Sequence, residues 1–216
     1  MKSMVVAVLT AVLAGSAVQA RVWTNTDGKT LEAELVKVQD GQVYLRLARD
    51  GKIRPLKIET LSEADQEFIH QYEKDEAARQ KAGELAKRKA KWLTDYDDVK
   101  KEAERFDLPI LLLFTAPEWC GYCTMLERNV LEQKAFKEYA QSNLVLFIAD
   151  FSKPNDAKKW RANYPELATN FPVDGYPCAY LISPSGKQLG RIGGCSEDWT
   201  HVDYIGLLEK YKANAK

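Results

Sequence analysis

LPILLLFTAPEWCGYCTM, residues 108–125, decides how this chain is read. Its first half is a continuous apolar run of strand length, which suits a central strand covered on both faces. Its second half holds two of the four cysteines, Cys120 and Cys123, separated by Gly121 and Tyr122. The residues that follow, TMLERNVLEQKAFKEYAQ, put Met125, Leu126, Val130, Leu131, Phe136 and Tyr139 at the apolar positions of a helix. A strand therefore ends in Trp-Cys-x-x-Cys and opens into a helix. Cys120, at the helix N-terminus, is expected beside unpaired backbone N–H groups and the positive end of the helix dipole. Both lower a thiol pKa, and the thiolate is the nucleophile. Cys123, about one turn inside, is placed to attack a mixed disulfide formed at Cys120.

The flanking sequence fits an α/β domain from residue 93 to residue 216. DYDDVKKEAERFD spaces Tyr96, Val99, Ala103 and Phe106 as one face of a helix. NLVLFIADF reads as a second buried strand, and residues 154–171 as a polar, helical connection. YPCAYLIS, the turn PSG and KQLGRIGG form a hairpin, and a last helix spans about residues 198–211. The order is helix, strand, helix, strand, helix, strand, strand, helix. A two-residue turn centred on Pro184 and Ser185 sets Cys178 opposite Arg191. A bulge at Gly193-Gly194 is then needed to bring Cys195 back to Cys178 for a second disulfide. A relay in which these two thiols pass electrons to Cys120 is the sharper alternative.

Other uses of the pair are weaker. Zinc needs two more ligands, and the chain offers only His70 and His201 and no second close cysteine pair, so no metal is expected. A purely structural disulfide has no need of a strand-to-helix setting behind Trp119.

Ahead of this domain lie three further segments. Residues 1–20, MKSMVVAVLTAVLAGSAVQA, carry one lysine, a short apolar run and a small-x-small ending. They read as a cleavable signal peptide, because the run is short of the ~20 residues of a spanning helix. Outside the cytosol disulfides persist, so a periplasmic or secreted location follows. Residues 21–61 alternate apolar and polar positions between Asp27-Gly28, Asp40-Gly41 and Asp50-Gly51, which predicts a small barrel of four or five strands. Residues 62–92 predict a charged helical linker opened by Ser62 with an acid, Asp65, three positions on. Its basic run KRKAKW, residues 87–92, reads as a solvated helix face rather than an anion site. The apolar stripe of this helix is weak, so it fixes no oligomeric state.

Two resemblances carry further implications. RVWT, DGKTLEAELVKVQDGQVYLR and PLKIETLSEADQEFI, within residues 21–70, resemble the SH3-like Sla homology domain, a module linked to protein or peptide binding. Residues 93–216, through FTAPEWCGYC and GYPCAYLISPSGKQLGRIGG, resemble the thioredoxin fold. That second resemblance implies a cis proline at Pro177, preceded by Tyr176, presenting a backbone edge to substrate opposite the cysteines, with Trp119 beside them. It also implies that the electrons reside in the cysteine pair, so no cofactor is needed. The expected partners are cysteine-containing proteins and a membrane electron donor. Two positions depart from thioredoxin. Phe114 stands where that family keeps a buried aspartate, and Gly-Tyr between the cysteines resembles periplasmic isomerases. Glu118, two residues before Cys120, is read as a solvated carboxylate, the alternative being assistance to the pair through water. With 31 basic and 31 acidic residues, net charge gives no reason to expect nucleic acid as a partner. The alternative to an enzyme is a binding module in which the thioredoxin fold is scaffold.

Overall fold

The structure is a computed structural model that describes residues 20–213; the expected leader lies outside the described residues. The described residues divide into two compact units, residues 20–79 and 80–213.

In the first unit, β1 (Arg21–Thr24), β2 (Thr30–Gln39), β3 (Gln42–Leu47) and β4 (Ile53–Lys57) form an antiparallel meander in sequence order. Period-2 alternation works as expected: Ala33, Leu35, Val43, Leu45 and Leu47 point inward and pack on Trp23, Leu61 and Ile69. The expected barrel is not closed. Among the described residues no ladder joins β4 to β1. β4 is short and largely exposed, and it carries Pro55, which has no N–H to donate. The chain instead turns through a 3₁₀ segment, Ile58–Thr60, and residues 60–62 meet the end of β1. Thr26 N–H donates to the Thr60 carbonyl (3.0 Å) and Ser62 N–H to the Thr24 carbonyl (2.8 Å). Helix α1 (Glu63–Lys87) follows. Asp65, buried in its first turn, pairs with Arg21 at 2.7 Å and accepts from the Thr24 N–H at 2.7 Å. The acid three positions after Ser62 thus ties the helix start to β1.

The second unit holds a five-stranded sheet in the order β5-β7-β6-β8-β9. Its strands are β5 (Trp92–Leu93), β6 (Ile110–Thr115), β7 (Val145–Asp150), β8 (Cys178–Ile182) and β9 (Gln188–Gly193). β5, β7 and β6 run parallel, and β8 and β9 are antiparallel to their neighbours. Every residue of β6 is buried, as its continuous apolar run requires. One face packs Phe114, Phe147 and Tyr180 against α2 (Tyr96–Phe106), α5 (Asp156–Asn163) and α6 (Pro165–Asn170). The other packs Leu111 and Leu113 against α3 (Gly121–Leu126), α4 (Lys134–Asn143) and α7 (His201–Ala213).

Three local readings change. The helix expected after Cys123 is α3 continued by a π segment, Glu127–Leu131, and then broken: Gln133 is extended at φ −64°, ψ 136°, before α4 begins. The β8–β9 turn is longer than two residues. Ser183 N–H donates to the Lys187 carbonyl, and Gly186 takes φ +86°, a left-handed conformation that admits glycine readily. The turn moves the register by one residue, a bulge between the Ile182–Gln188 and Leu181–Gly190 pairs moves it by one more, and Cys178 faces Gly193 rather than Arg191. Finally, the run 87–92 is not a solvated helix face. α1 ends at Lys87, and Arg88 is buried, bonded to Glu102 and to the carbonyls of Ala140 (3.2 Å), Gln141 (2.7 Å) and Leu144 (2.8 Å). α4 has no basic residue in its own last turn, so Arg88 supplies the positive charge and donors its C-terminus lacks.

Candidate active site

The site forms beyond the C-terminal ends of β6 and β7, the region where parallel strands open a crevice. β6 ends at Thr115, and the next five residues bring the chain to Cys120, the N-cap of α3. Cys120 and Cys123 are joined by a disulfide with Cα atoms 5.2 Å apart. The Cys123 N–H, shared with the Cys120 carbonyl at 3.0 Å, points at Cys120 Sγ, 3.2 Å away, so a donor of the helix start faces the first sulfur. Cys120 is 9% exposed and Cys123 2%, so the first sulfur is the more accessible of the two.

The segment before β8 closes the other side. The Tyr176–Pro177 peptide is cis, and the Tyr176 carbonyl oxygen lies 3.6 Å from Cys120 Sγ. Trp119 is 60% exposed and Tyr122 52%, flanking the sulfur with apolar surface. Trp119 meets the Tyr176 ring edge-on at 5.6 Å, and Tyr176 meets Phe151 at 5.5 Å. The residues singled out in the sequence as Trp119, Cys120, Cys123, Tyr176 and Pro177 are thus brought together.

Two anchors of the loop carry no sequence signal of their own. The Trp119 indole N–H donates to the Phe151 carbonyl at 3.4 Å, and the Glu118 N–H to Ser152 Oγ at 3.2 Å. Ser152 is in turn held by Asp150, its hydroxyl donating at 2.6 Å. Both anchors follow β7, which runs parallel to β6, so only the strand pairing reveals them. Glu118 is exposed.

Phe114 is fully buried. It packs edge-on against Trp160 at 5.1 Å and Tyr180 at 6.1 Å, and stacks on Phe151 at 6.2 Å. The wall behind the cysteines on this face is therefore aromatic and has no carboxylate from β6.

Cys178 and Cys195 are not a disulfide; both are free thiols. Cys178 packs on the Phe114 face of the sheet and Cys195 on the opposite face. Strand alternation would return residue 195 to the side of residue 193. Gly194, at φ +75°, turns the chain away after β9 instead, its N–H held by the Pro177 carbonyl at 2.8 Å. Burial pushes the Cys178 thiol up, with the Arg191 guanidinium pulling it back. Arg191 also donates to the Tyr180 hydroxyl at 3.1 Å and pairs with Asp174, while Tyr180 donates to the Pro172 carbonyl at 2.6 Å. This network braces residues 172–176, the approach to the Tyr176 carbonyl. Among the described residues no cluster of His, Cys, Asp and Glu is arranged to hold a metal ion, and no helix is long and apolar enough to cross a membrane.

Comparison with known proteins bears on this arrangement. The family described as thioredoxin-like domain matches residues 96–198. A disulfide bond reductase, DsbH, of Chlamydia pneumoniae is 30% identical over 99 residues, which are 45% of this chain and 60% of the relative. The thioredoxin-related protein DsbJ of the same organism is 26% identical over 103 residues, 47% of this chain and 30% of the relative. Protein disulfide-isomerase of Triticum aestivum is 28% identical over 182 residues, 84% of this chain and 28% of the relative. A solved structure of a DsbH oxidoreductase superposes with a TM-score of 0.47 at 26% identity, covering 57% of this chain and 84% of that one. The chain spans less than two thirds of the length of these three curated relatives. The match to the thioredoxin-like domain over residues 96–198 includes Cys120 and Cys123, which stand where the central strand of this sheet gives way to a helix.

Proposed function

We propose that the protein is a thiol–disulfide oxidoreductase that reduces or isomerises disulfides in protein substrates through Cys120 and Cys123. The observation that carries this reading is the position of Cys120 Sγ, between the Cys123 N–H at 3.2 Å and the Tyr176 carbonyl at 3.6 Å. The first contact favours a thiolate on Cys120 in the reduced protein. The second sets a free backbone acceptor beside the reacting sulfur, where an extended substrate segment can pair with it. Cys120 attacks the substrate disulfide, one substrate sulfur leaves as thiolate, and Cys123 then displaces the other from Cys120. The substrate gains two electrons and the cysteine pair is oxidised.

The names of the Chlamydia reductase and the wheat isomerase support net reduction or isomerisation. The leader-like residues 1–20 support a location outside the cytosol, where a donor, expected at the membrane, must re-reduce the pair. The meander of residues 21–57 is assigned protein contact by its likeness to SH3-like modules. Insulin reduction in the presence of a thiol donor tests the central reading. The wild type should accelerate precipitation of the insulin B chain and Cys120→Ser should not; a wild type no faster than Cys120→Ser rejects it. A potential of the pair near about −270 mV favours reduction, and one near about −120 mV oxidation.

A further inference from the structure

Cys123 must lose a proton before it can attack, and its surroundings discourage this. It is 2% exposed, and a buried thiol resists ionisation. On the Phe114 side of the pair Cys178, Tyr176 and Tyr180 are each pushed up by burial, Arg191 is a cation, and Asp174, the carboxylate that acts on Cys178 and Tyr180, is paired with Arg191. The thiol, the phenols and the guanidinium accept no proton at neutral pH, and Asp174 is held in its ion pair.

The other face of the sheet differs. A cleft of about 270 Å³ reaches Cys123 and is lined by Thr115, Glu127, Glu132 and Lys137 among apolar walls. Water fits a space of that size when polar groups hold it. Glu127 lies four residues beyond Cys123, and its N–H donates to the Cys123 carbonyl. The two side chains therefore rise from one helix face, a turn apart. Glu127 is exposed, so its carboxylate touches solvent and can hand a proton on. Lys137 is a cation and accepts nothing. Glu132 stands beyond the π segment, on a different turn.

We propose that Glu127 is the proton acceptor for the Cys123 thiol, reached through water in this cleft. The inference rests on the redox reading above. With Cys120 joined to a substrate sulfur, Cys123 gives its proton through water to the Glu127 carboxylate. The Cys123 sulfur uses the freed electron pair to bond to Cys120 Sγ. The bond from Cys120 to the substrate sulfur breaks, its pair leaves with that sulfur, and the substrate thiolate takes up a proton from Glu127 or solvent.

The test uses reduced full-length protein mixed with oxidised glutathione, quenched in acid, with the Cys120–glutathione adduct followed by mass. In Glu127→Gln the adduct should decay about 100-fold more slowly than in wild type near pH 6, the lower end of what a positioned base contributes. Near pH 9, where hydroxide can take the proton without help from a carboxylate, the two should converge. Glu127→Asp should recover part of the loss, and Glu132→Gln should track the wild type. Removing a carboxylate that merely repels the thiolate would speed decay near pH 6. Faster or unchanged decay in Glu127→Gln overturns the proposal while leaving the redox reading intact. A wild type from which oxidised glutathione yields neither the adduct nor the Cys120–Cys123 disulfide overturns the redox reading itself.

Discussion

The Tyr176 carbonyl oxygen sits 3.6 Å from Cys120 Sγ, and the Trp119 ring stands edge-on to the Tyr176 ring at 5.6 Å. A reactive sulfur, a backbone acceptor and exposed aromatic surface thus share one rim. The sulfur supplies the chemistry, the carbonyl can align an extended segment, and the aromatics contribute apolar contact that is indifferent to sequence. On the function proposed above, such a rim suits many protein substrates rather than one small molecule.

The difference in burial between the two cysteines predicts a trap. Cys120 is the more accessible member, and in the mechanism proposed above Cys123 is the one that releases substrate. Cys123→Ser should accumulate proteins disulfide-bonded to Cys120, seen as high-mass bands on non-reducing gels that vanish with reductant. Cys120→Ser should accumulate none. Equal trapping by the two variants would reverse the roles assigned here.

Arg88 makes a prediction about stability. It is buried at the C-terminus of α4, where it satisfies three carbonyls and pairs with Glu102. Arg88→Ala leaves those acceptors without their donor, and breaking a buried pair by removing one partner costs about 3–5 kcal/mol. Because Glu102 is partly solvated, the lower end is expected, about 3 kcal/mol. Urea unfolding measures it. Lys at this position should rescue little, since an ammonium cannot reproduce the fork that reaches several carbonyls at once. A loss under about 1 kcal/mol would mean that water takes over these bonds.

What was legible in the sequence follows from which physical signals are local. β6 is buried on both faces, so it had to be a continuous apolar run, and the run is unmistakable. The cysteines at the start of α3 were legible because strand, pair and helix are contiguous. The β8–β9 register was not, because the turn with left-handed Gly186 is one residue longer than a two-residue hairpin and a bulge at Leu189 adds another, which together move Cys178 from Arg191 to Gly193. β5 is two residues long and exists only through its pairing with β7. Arg88 looked like one of several surface cations, and the carbonyls it binds lie more than fifty residues away along the chain. The barrel closure was overread because strand period says nothing about whether the first and last strands meet.

Cys178 yields a prediction whose sign can be worked out. Burial is the main influence and raises its thiol, while Arg191 lowers it by less. The folded protein therefore holds this proton more tightly than the unfolded chain does. The resulting stability is fully present below the unfolded thiol value of ~8.5 and is lost as pH rises through the higher folded value. The urea midpoint of the wild type should fall between about pH 8 and about pH 10. Other groups ionise in the same range, among them Cys195, whose thiol burial also raises. The informative quantity is thus the midpoint of wild type minus that of Cys178→Ala. Alanine removes the titration, so this difference should shrink as pH rises, even though the small cavity it creates lowers the variant's midpoint at every pH. A difference that stays constant across the range, or grows, would show that Cys178 ionises no less readily in the folded protein than in the unfolded chain, and that Arg191 outweighs its burial.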